Sequence, residues 1–332
     1  MLLLFCRRDN ALVANISKSR NNEHMKINSV LIAGAGAIGL SVAETLYGYD
    51  PGCVSIMAKG ERLERYRENG LRVNGKKIDF RFSHGEKADL VIVACKFHHL
   101  NQVIEDIRPS VGEGTIILSL LNGISSEDII GASLGRERLP LAMVLGVDAR
   151  HGGEETTYTV KGVIHFGDAA GSNGEREERI GDFFTRAGVA HKLEQNMKRA
   201  LWYKYMLNIG MNQTTAILRI PYRAIQTRGV SGEIPEARML CEKAMREVIA
   251  VANAEGVDLY EGDIENGRKT LNTMSPEGLT SMYQDVLAGR KTELEMFSPA
   301  LMELAKKHGI SVPVNETLYL QLRTIEAALP DC

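Results

Sequence analysis

Residues 29–39 read Ser29-Val30-Leu31-Ile32-Ala33-Gly34-Ala35-Gly36-Ala37-Ile38-Gly39. A continuously apolar run passes straight into glycines at G-x-G-x-x-G spacing, and a helical stretch over residues 38–46 follows. Alone, such a glycine motif carries little weight. Here it has a buried strand before it, a helix after it, and a place near the start of an α/β unit. In that setting Gly34 permits the tight turn, Gly36 removes the Cβ that would strike a pyrophosphate, and Gly39 lets helix and strand pack closely. The backbone of Gly34, Ala35, Gly36, Ala37, Ile38 and Gly39, with the helix dipole behind it, then faces the phosphates. The loop therefore reads as dinucleotide-binding; an ordinary glycine-rich turn is the alternative.

Outward from this loop, short apolar runs at residues 29–33, 54–58, 90–95 and 115–120 alternate with helical stretches at 38–46, 100–107 and 127–134. The runs are continuously apolar rather than alternating, as expected for strands of a parallel sheet buried on both faces. The pattern predicts an α/β, doubly wound open sheet. Further strands with hairpin-like connections are expected at residues 139–145, 156–160 and 162–167. The second strand should end where a ribose hydroxyl would call for an acid. Instead it ends at Lys59-Gly60-Glu61-Arg62. Lys59, helped by Arg62, can neutralise a 2′-phosphate, which favours NADPH, while Glu61 keeps NADH open.

After about residue 193 the texture becomes helical, over residues 197–217, 235–254, 283–307 and 314–328, punctuated by Pro221, Pro235, Pro276 and Pro313. A mostly α-helical second domain is expected, with ligands in the cleft between the two. Length agrees, since 332 residues suit two domains of roughly 100–200 residues each. With 40 basic and 42 acidic residues, there is no whole-molecule field for a nucleic acid or an anionic membrane. No apolar run approaches the roughly 20 residues of a membrane span. The five cysteines are scattered, which argues against a disulfide framework or a zinc site and fits a reducing, cytoplasmic compartment. Residues 1–25 read as a disordered or mis-started extension, since Met25-Lys26-Ile27 makes a more natural beginning.

Within the helical half, Lys204, Asn208 and Asn212 recur at i, i+4 and i+8 and share one helix face. One reading is a plain solvent face. The other is a substrate site, because mid-helix asparagines are poor helix formers where Glu or Gln would serve at lower cost. A row of amides headed by an ammonium suits a ligand bearing carboxylate and hydroxyl groups. Lys96 and Asn122 each fall just beyond the carboxyl end of a predicted parallel strand, the edge where such sheets bind ligands. Ser281 and Glu293, near Ala288-Gly289-Arg290, are unremarkable alone. The His98-His99 pair lacks a third metal ligand, so no metal is expected.

Several of these segments follow one another along the chain: Gly34-Ala35-Gly36-Ala37-Ile38-Gly39, Val91-Ile92-Val93-Ala94-Cys95-Lys96, Leu121-Asn122-Gly123, and Trp202-Tyr203-Lys204 with Asn208 and Asn212. Ser281-Met282-Tyr283-Gln284-Asp285, Lys291-Thr292-Glu293 and His308-Gly309-Ile310-Ser311-Val312-Pro313 complete the set. From about Lys26 to the C-terminus the chain resembles the ketopantoate (2-dehydropantoate) 2-reductases. The glycine loop is shared by many families; the Lys204 helix with the Ser281–Glu293 stretch is far more specific.

The resemblance implies a Rossmann-type domain over residues 26–194 and a helical catalytic domain over 195–332. It implies NADPH-dependent reduction of 2-dehydropantoate to pantoate, on the route to coenzyme A. Lys204 would be the general acid, protonating the carbonyl oxygen and stabilising the developing alkoxide. Asn208, Asn212 and Ser281 would hold substrate oxygens, and Asn122 would bridge substrate and cofactor. Lys96 would meet the cofactor, and Glu293 would act beside Lys204 and the nicotinamide ribose. A homodimer is compatible with this reading, and the sequence itself does not fix the oligomeric state.

The chain also departs from the family pattern. Leu121 stands where many members carry Gln, Lys59 where Arg is common, and Tyr222 where some present a substrate-binding Asn. Tyr222 leaves open a reductase of another small 2-oxo acid. A non-catalytic NADPH-binding sensor is the remaining alternative, although a sensor has no need of the Lys204 proton donor.

Overall fold

Strand β1 (Val30–Ala33) is buried along its whole length, and its side chains alternate between two apolar cores. Val30 and Ile32 face one core, Leu31 and Ala33 the other, so no position on the strand is free to be polar. The computed structural model describes residues 26–169, 171–229 and 231–328. The expected extension over residues 1–25 lies outside the described residues.

From β1 the chain enters α1 (Ala37–Tyr49), then β2 (Val54–Ile56), α2 (Gly60–Asn69), a hairpin of β3 (Leu71–Val73) and β4 (Lys76–Ile78), and β5 (Arg81–Phe82). Next come β6 (Ala88–Val93), α3 (Leu100–Ile107), β7 (Val111–Ser119) and α4 (Ser126–Leu134). Five strands form a parallel sheet in the order β5-β2-β1-β6-β7. The strand order reverses between β1 and β6, and the crevice at their carboxyl ends is where such sheets bind ligands.

A second sheet lies against α1. It is built on β8 (Leu141–Gly152) and β9 (Glu155–Gly167), an antiparallel pair to which β3 and later β10 (His191–Leu193) add in parallel. Helix α5 (Glu175–Ala187) precedes β10 and buries Ile180, Phe183 and Phe184 in the shared core. The two strands expected at residues 156–160 and 162–167 are one strand. Gly162 takes φ 79° there, which bends β9 without ending its ladder with β8.

The remainder is helical: α6 (Met197–Leu218), α7 (Pro235–Ala254), α8 (Glu261–Thr273), α9 (Ser281–Leu287), α10 (Ser298–His308) and α11 (Pro313–Ala327). Prolines occupy the first turns of α7, α10 and α11, where a missing N–H costs nothing. These helices have their own core, centred on Tyr205, Met206, Val248 and Leu301. The fold is thus the α/β, Rossmann-type doubly wound sheet followed by a mostly α-helical half. The single helix expected over residues 283–307 is instead α9 and α10, parted by an irregular stretch and a short 3-10 turn, Leu294–Met296. Among the described residues, no helix is long and apolar enough to cross a membrane.

Candidate active site

The glycine loop leaves β1 with Gly34 at φ 123°, and a Cβ there would lie 2.5 Å from the carbonyl oxygen of Ala94. The loop therefore rests directly on the backbone at the end of β6. A Cβ on Gly39 would lie 1.8 Å from the Gly34 carbonyl oxygen, so that glycine serves packing. Gly36 differs: a Cβ there would meet nothing within 4 Å. Its lack of a side chain keeps space open in front of α1. No side chain caps α1 and no acid stands in its first turn, so its free N–H groups and positive end face that space. This arrangement fits a pyrophosphate. At the tip of β2, the Lys59 ammonium is exposed and lies 3.1 Å from Asp106 Oδ1, with Arg62 exposed on α2.

Asn122, just past β7, joins the sheet to the helical half. Its Oδ1 accepts from Lys204 Nζ at 3.0 Å, and its Nδ2 donates to Glu293 Oε2 at 3.4 Å. Lys204 also donates to the Val144 carbonyl on β8 at 3.0 Å. Two of its three N–H bonds are thereby fixed in direction. Lys96, at the end of β6, reaches the other side of the cluster. It donates to Asp285 Oδ2 at 3.0 Å and stands 3.5 Å from Glu293 Oε2. Asp285 in turn accepts from Arg290 Nε at 2.9 Å. The break between α9 and α10 is what allows Asp285 and Glu293, eight positions apart, to approach one lysine.

The Lys204 residue is half-buried as a whole, and its ammonium is enclosed by protein. Burial pushes its pKa down to about 8, against the opposing pull of Glu293 and Glu127. Lys96 goes the other way. Burial alone would lower it, but Glu293 and Asp285 outweigh that effect and raise it. The neighbouring Cys95 thiol is pushed by burial up to about 12 and so stays protonated. His98 and His99, with ring centroids 4.2 Å apart, are both held below the usual histidine range by desolvation.

The plain solvent-face reading of the Lys204 stripe does not describe α6. That helix is buried on most sides, and Asn212 itself is only 7% exposed. Among the described residues, neither the Asn208 nor the Asn212 side-chain amide has a protein hydrogen-bond partner. Neither amide is among the fully buried polar atoms left without a partner, so both remain accessible to a ligand. Ser281 begins α9, next to Thr280, whose hydroxyl lies 2.8 Å from that of Thr215, less than one turn beyond Asn212. This contact brings the start of α9 alongside α6, one position before the exposed Ser281. Tyr222 donates its backbone N–H to the Gly278 carbonyl at 2.9 Å, and its ring lies against Gly278. The loop leading to Ser281 is thus shaped around that ring.

Of the residues singled out in the sequence, hydrogen bonds and ion pairs join Lys96, Asn122, Lys204 and Glu293 in one cluster, while Asn208 and Asn212 lie one and two turns further along α6 and Ser281 begins α9. Sequence reading missed the partners. Asp285 follows Ser281 by about one helical turn, and that spacing is the signal the sequence offers for it. The Val144 carbonyl and Glu127 carry no local signal at all.

Residues 30–171 match the family model for ketopantoate reductase PanE/ApbA, and residues 196–326 match the model for its C-terminal part. The 2-dehydropantoate 2-reductase of Halobacterium salinarum is 29% identical over 304 residues, covering 87% of this chain and 96% of its own. The crystal structure of 2-dehydropantoate 2-reductase from Geobacter metallireducens is 28% identical, with a TM-score of 0.78 over 89% of this chain and 99% of its own. A ternary structure of D-mandelate dehydrogenase with NADH and anilino(oxo)acetate shares the fold at 23% identity and a TM-score of 0.80, over 91% and 99% of the two chains. Both halves of the family are therefore present in their own order, and the chain belongs to the ketopantoate reductase family of oxidoreductases acting on CH–OH groups.

Proposed function

We propose that this enzyme reduces 2-dehydropantoate to pantoate, with NADPH as the cofactor and Lys204 as the proton donor. The observation that carries the reading is the enclosed Lys204 ammonium. Two of its N–H bonds are tied to Asn122 and Val144, which leaves the third for a substrate carbonyl oxygen in the cleft. A reduced nicotinamide, when bound, supplies the hydride. As negative charge develops on that oxygen, the ammonium stabilises it and then transfers the proton. A proton affinity lowered by burial makes Lys204 a better acid near neutrality than an exposed lysine.

Glu293 and Asn122 orient Lys204 and reach toward the cofactor side, where Lys96 is held by Asp285. Asn208, Asn212 and Ser281 supply donors and acceptors for the substrate carboxylate and hydroxyl. The open space at Gly36 and the bare first turn of α1 would hold the pyrophosphate, and Lys59 with Arg62 would meet a 2′-phosphate. We place the seam between the two domains at residues 194 and 195, which agrees with a C-terminal family match beginning at residue 196. The free thiols of Cys53, Cys95 and Cys241 suit a reducing cytoplasm. Tyr222 favours one variation on this reading, a different small 2-oxo acid, because its ring packs against Gly278 in the loop leading to Ser281.

NADPH oxidation measured with ketopantoate, pyruvate and 2-oxoisovalerate, and repeated with NADH, separates these readings. We expect the highest kcat/KM for ketopantoate with NADPH. Equal values across the three acids would overturn the substrate assignment, and an NADH preference would overturn the cofactor assignment.

A further inference from the structure

Glu127 is a carboxylate at 2% exposure in the first turn of α4, and the reaction as described makes no use of it. Both of its oxygens are engaged by donors. The Ser126 hydroxyl donates to Oε2 at 2.8 Å, and the Ala142 N–H donates to Oε1 at 3.2 Å. The Ser119 hydroxyl, 2.8 Å from that of Ser126, completes a chain of hydroxyls ending on the carboxylate. Burial pushes the Glu127 carboxyl above the usual carboxylate range, while these two donors pull the other way.

Ala142 is two residues from Val144 on β8, and Val144 is the residue whose carbonyl receives Lys204. Residues two apart on a strand present their backbone groups to the same edge, spaced by roughly 7 Å. The β9 ladder occupies the opposite edge of β8. A buried carboxylate and an enclosed ammonium therefore dock side by side on one free strand edge. The same short connection from β7 to α4 carries Asn122, which also holds Lys204.

Resting on the assignment of Lys204 as proton donor, we propose that Glu127 is a positioning residue for it. Clamped to β8, it fixes the Asn122 connection, and its ionised form places a negative charge behind the ammonium. Glu293 faces Lys204 from the cleft side, but Glu293 is shared with Lys96, itself paired with Asp285. Arg136 faces Glu127 from beyond α4. Of the two carboxylates acting on Lys204, only Glu127 is enclosed in the sheet side, out of reach of anything bound in the cleft.

The test is direct titration of the Lys204 ammonium by NMR of protein carrying 13C-labelled lysine, in wild type and in Glu127→Gln, alongside their pH–rate profiles. Removal of this charge should lower the Lys204 midpoint by about one pH unit, tenfold in proton affinity. Ser126→Ala weakens the hold on the carboxylate without deleting it, so it should move the midpoint the same way by less, and it serves if Glu127→Gln does not fold. An unmoved midpoint in whichever variant folds overturns the proposal. A wild-type rate profile with no alkaline limb would refute Lys204 as proton donor instead, while the NMR midpoint would still decide the role of Glu127.

Discussion

Lys204 Nζ donates to Asn122 Oδ1 at 3.0 Å, a bond between α6 of the helical half and the connection after β7 of the parallel sheet. Neither half holds the proposed proton donor alone. The sheet supplies the glycine loop, Lys96, Asn122 and the Val144 carbonyl, and the helices supply Lys204, its two asparagines and Glu293. A change on either side should therefore reach the chemistry through Lys204.

The first consequence is a pH dependence with a definite sign. Burial lowers Lys204 to about 8, so the ammonium is present below that pH and lost above it. Reduction, which needs the ammonium, should lose kcat/KM on an alkaline limb near pH 8. Oxidation of the hydroxy acid, which needs the free amine, should rise over the same range. A reduction rate that stays level to pH 10 would contradict this.

The loop glycines should separate binding from folding. Gly36→Val places a side chain in space that the protein leaves open, so the variant should fold normally and lose NADPH binding. Gly39→Ala instead drives a methyl group into the Gly34 carbonyl and should cost about 1–3 kcal/mol of stability. Cofactor titration by fluorescence and thermal melts distinguish the two. Retained NADPH affinity in folded Gly36→Val would show that the loop has been misassigned.

Lys59 should decide between the two nicotinamide cofactors. It is half-exposed and shares its charge with Asp106. Loss of a charge-assisted contact to a 2′-phosphate costs about 1.5 kcal/mol or more. Lys59→Ala should therefore lower kcat/KM for NADPH about tenfold, with little change for NADH. Equal losses for both cofactors would assign Lys59 to the fold.

How much was legible in the sequence depended on whether each signal is local. β1 and its glycines were readable because a strand buried on both faces has to be apolar throughout. α3 was readable from its periodic apolar positions. β3, β4 and β5 were not, since strands of two or three residues carrying Lys76, Lys77 and Arg81 show no period. α8 was hidden by glycines; Gly267 is there because Leu207 packs against it, a tertiary reason. α9 and α10 merged in the reading because apolar residues continue across their break. At the site, Lys204, Asn208 and Asn212 declare themselves by spacing on one helix. Asn122 and Glu293 lie 171 positions apart, and only the family resemblance joined them before the fold did.

The assignment of Lys204 is tested most directly by single-turnover NADPH oxidation, comparing wild type with Lys204→Ala at saturating NADPH and ketopantoate. The account predicts a rate lower by about 10²–10⁴-fold, with NADPH affinity within a few-fold of wild type. A rate close to wild type, or a loss of affinity as large as the loss of rate, would make Lys204 a structural lysine and contradict the account.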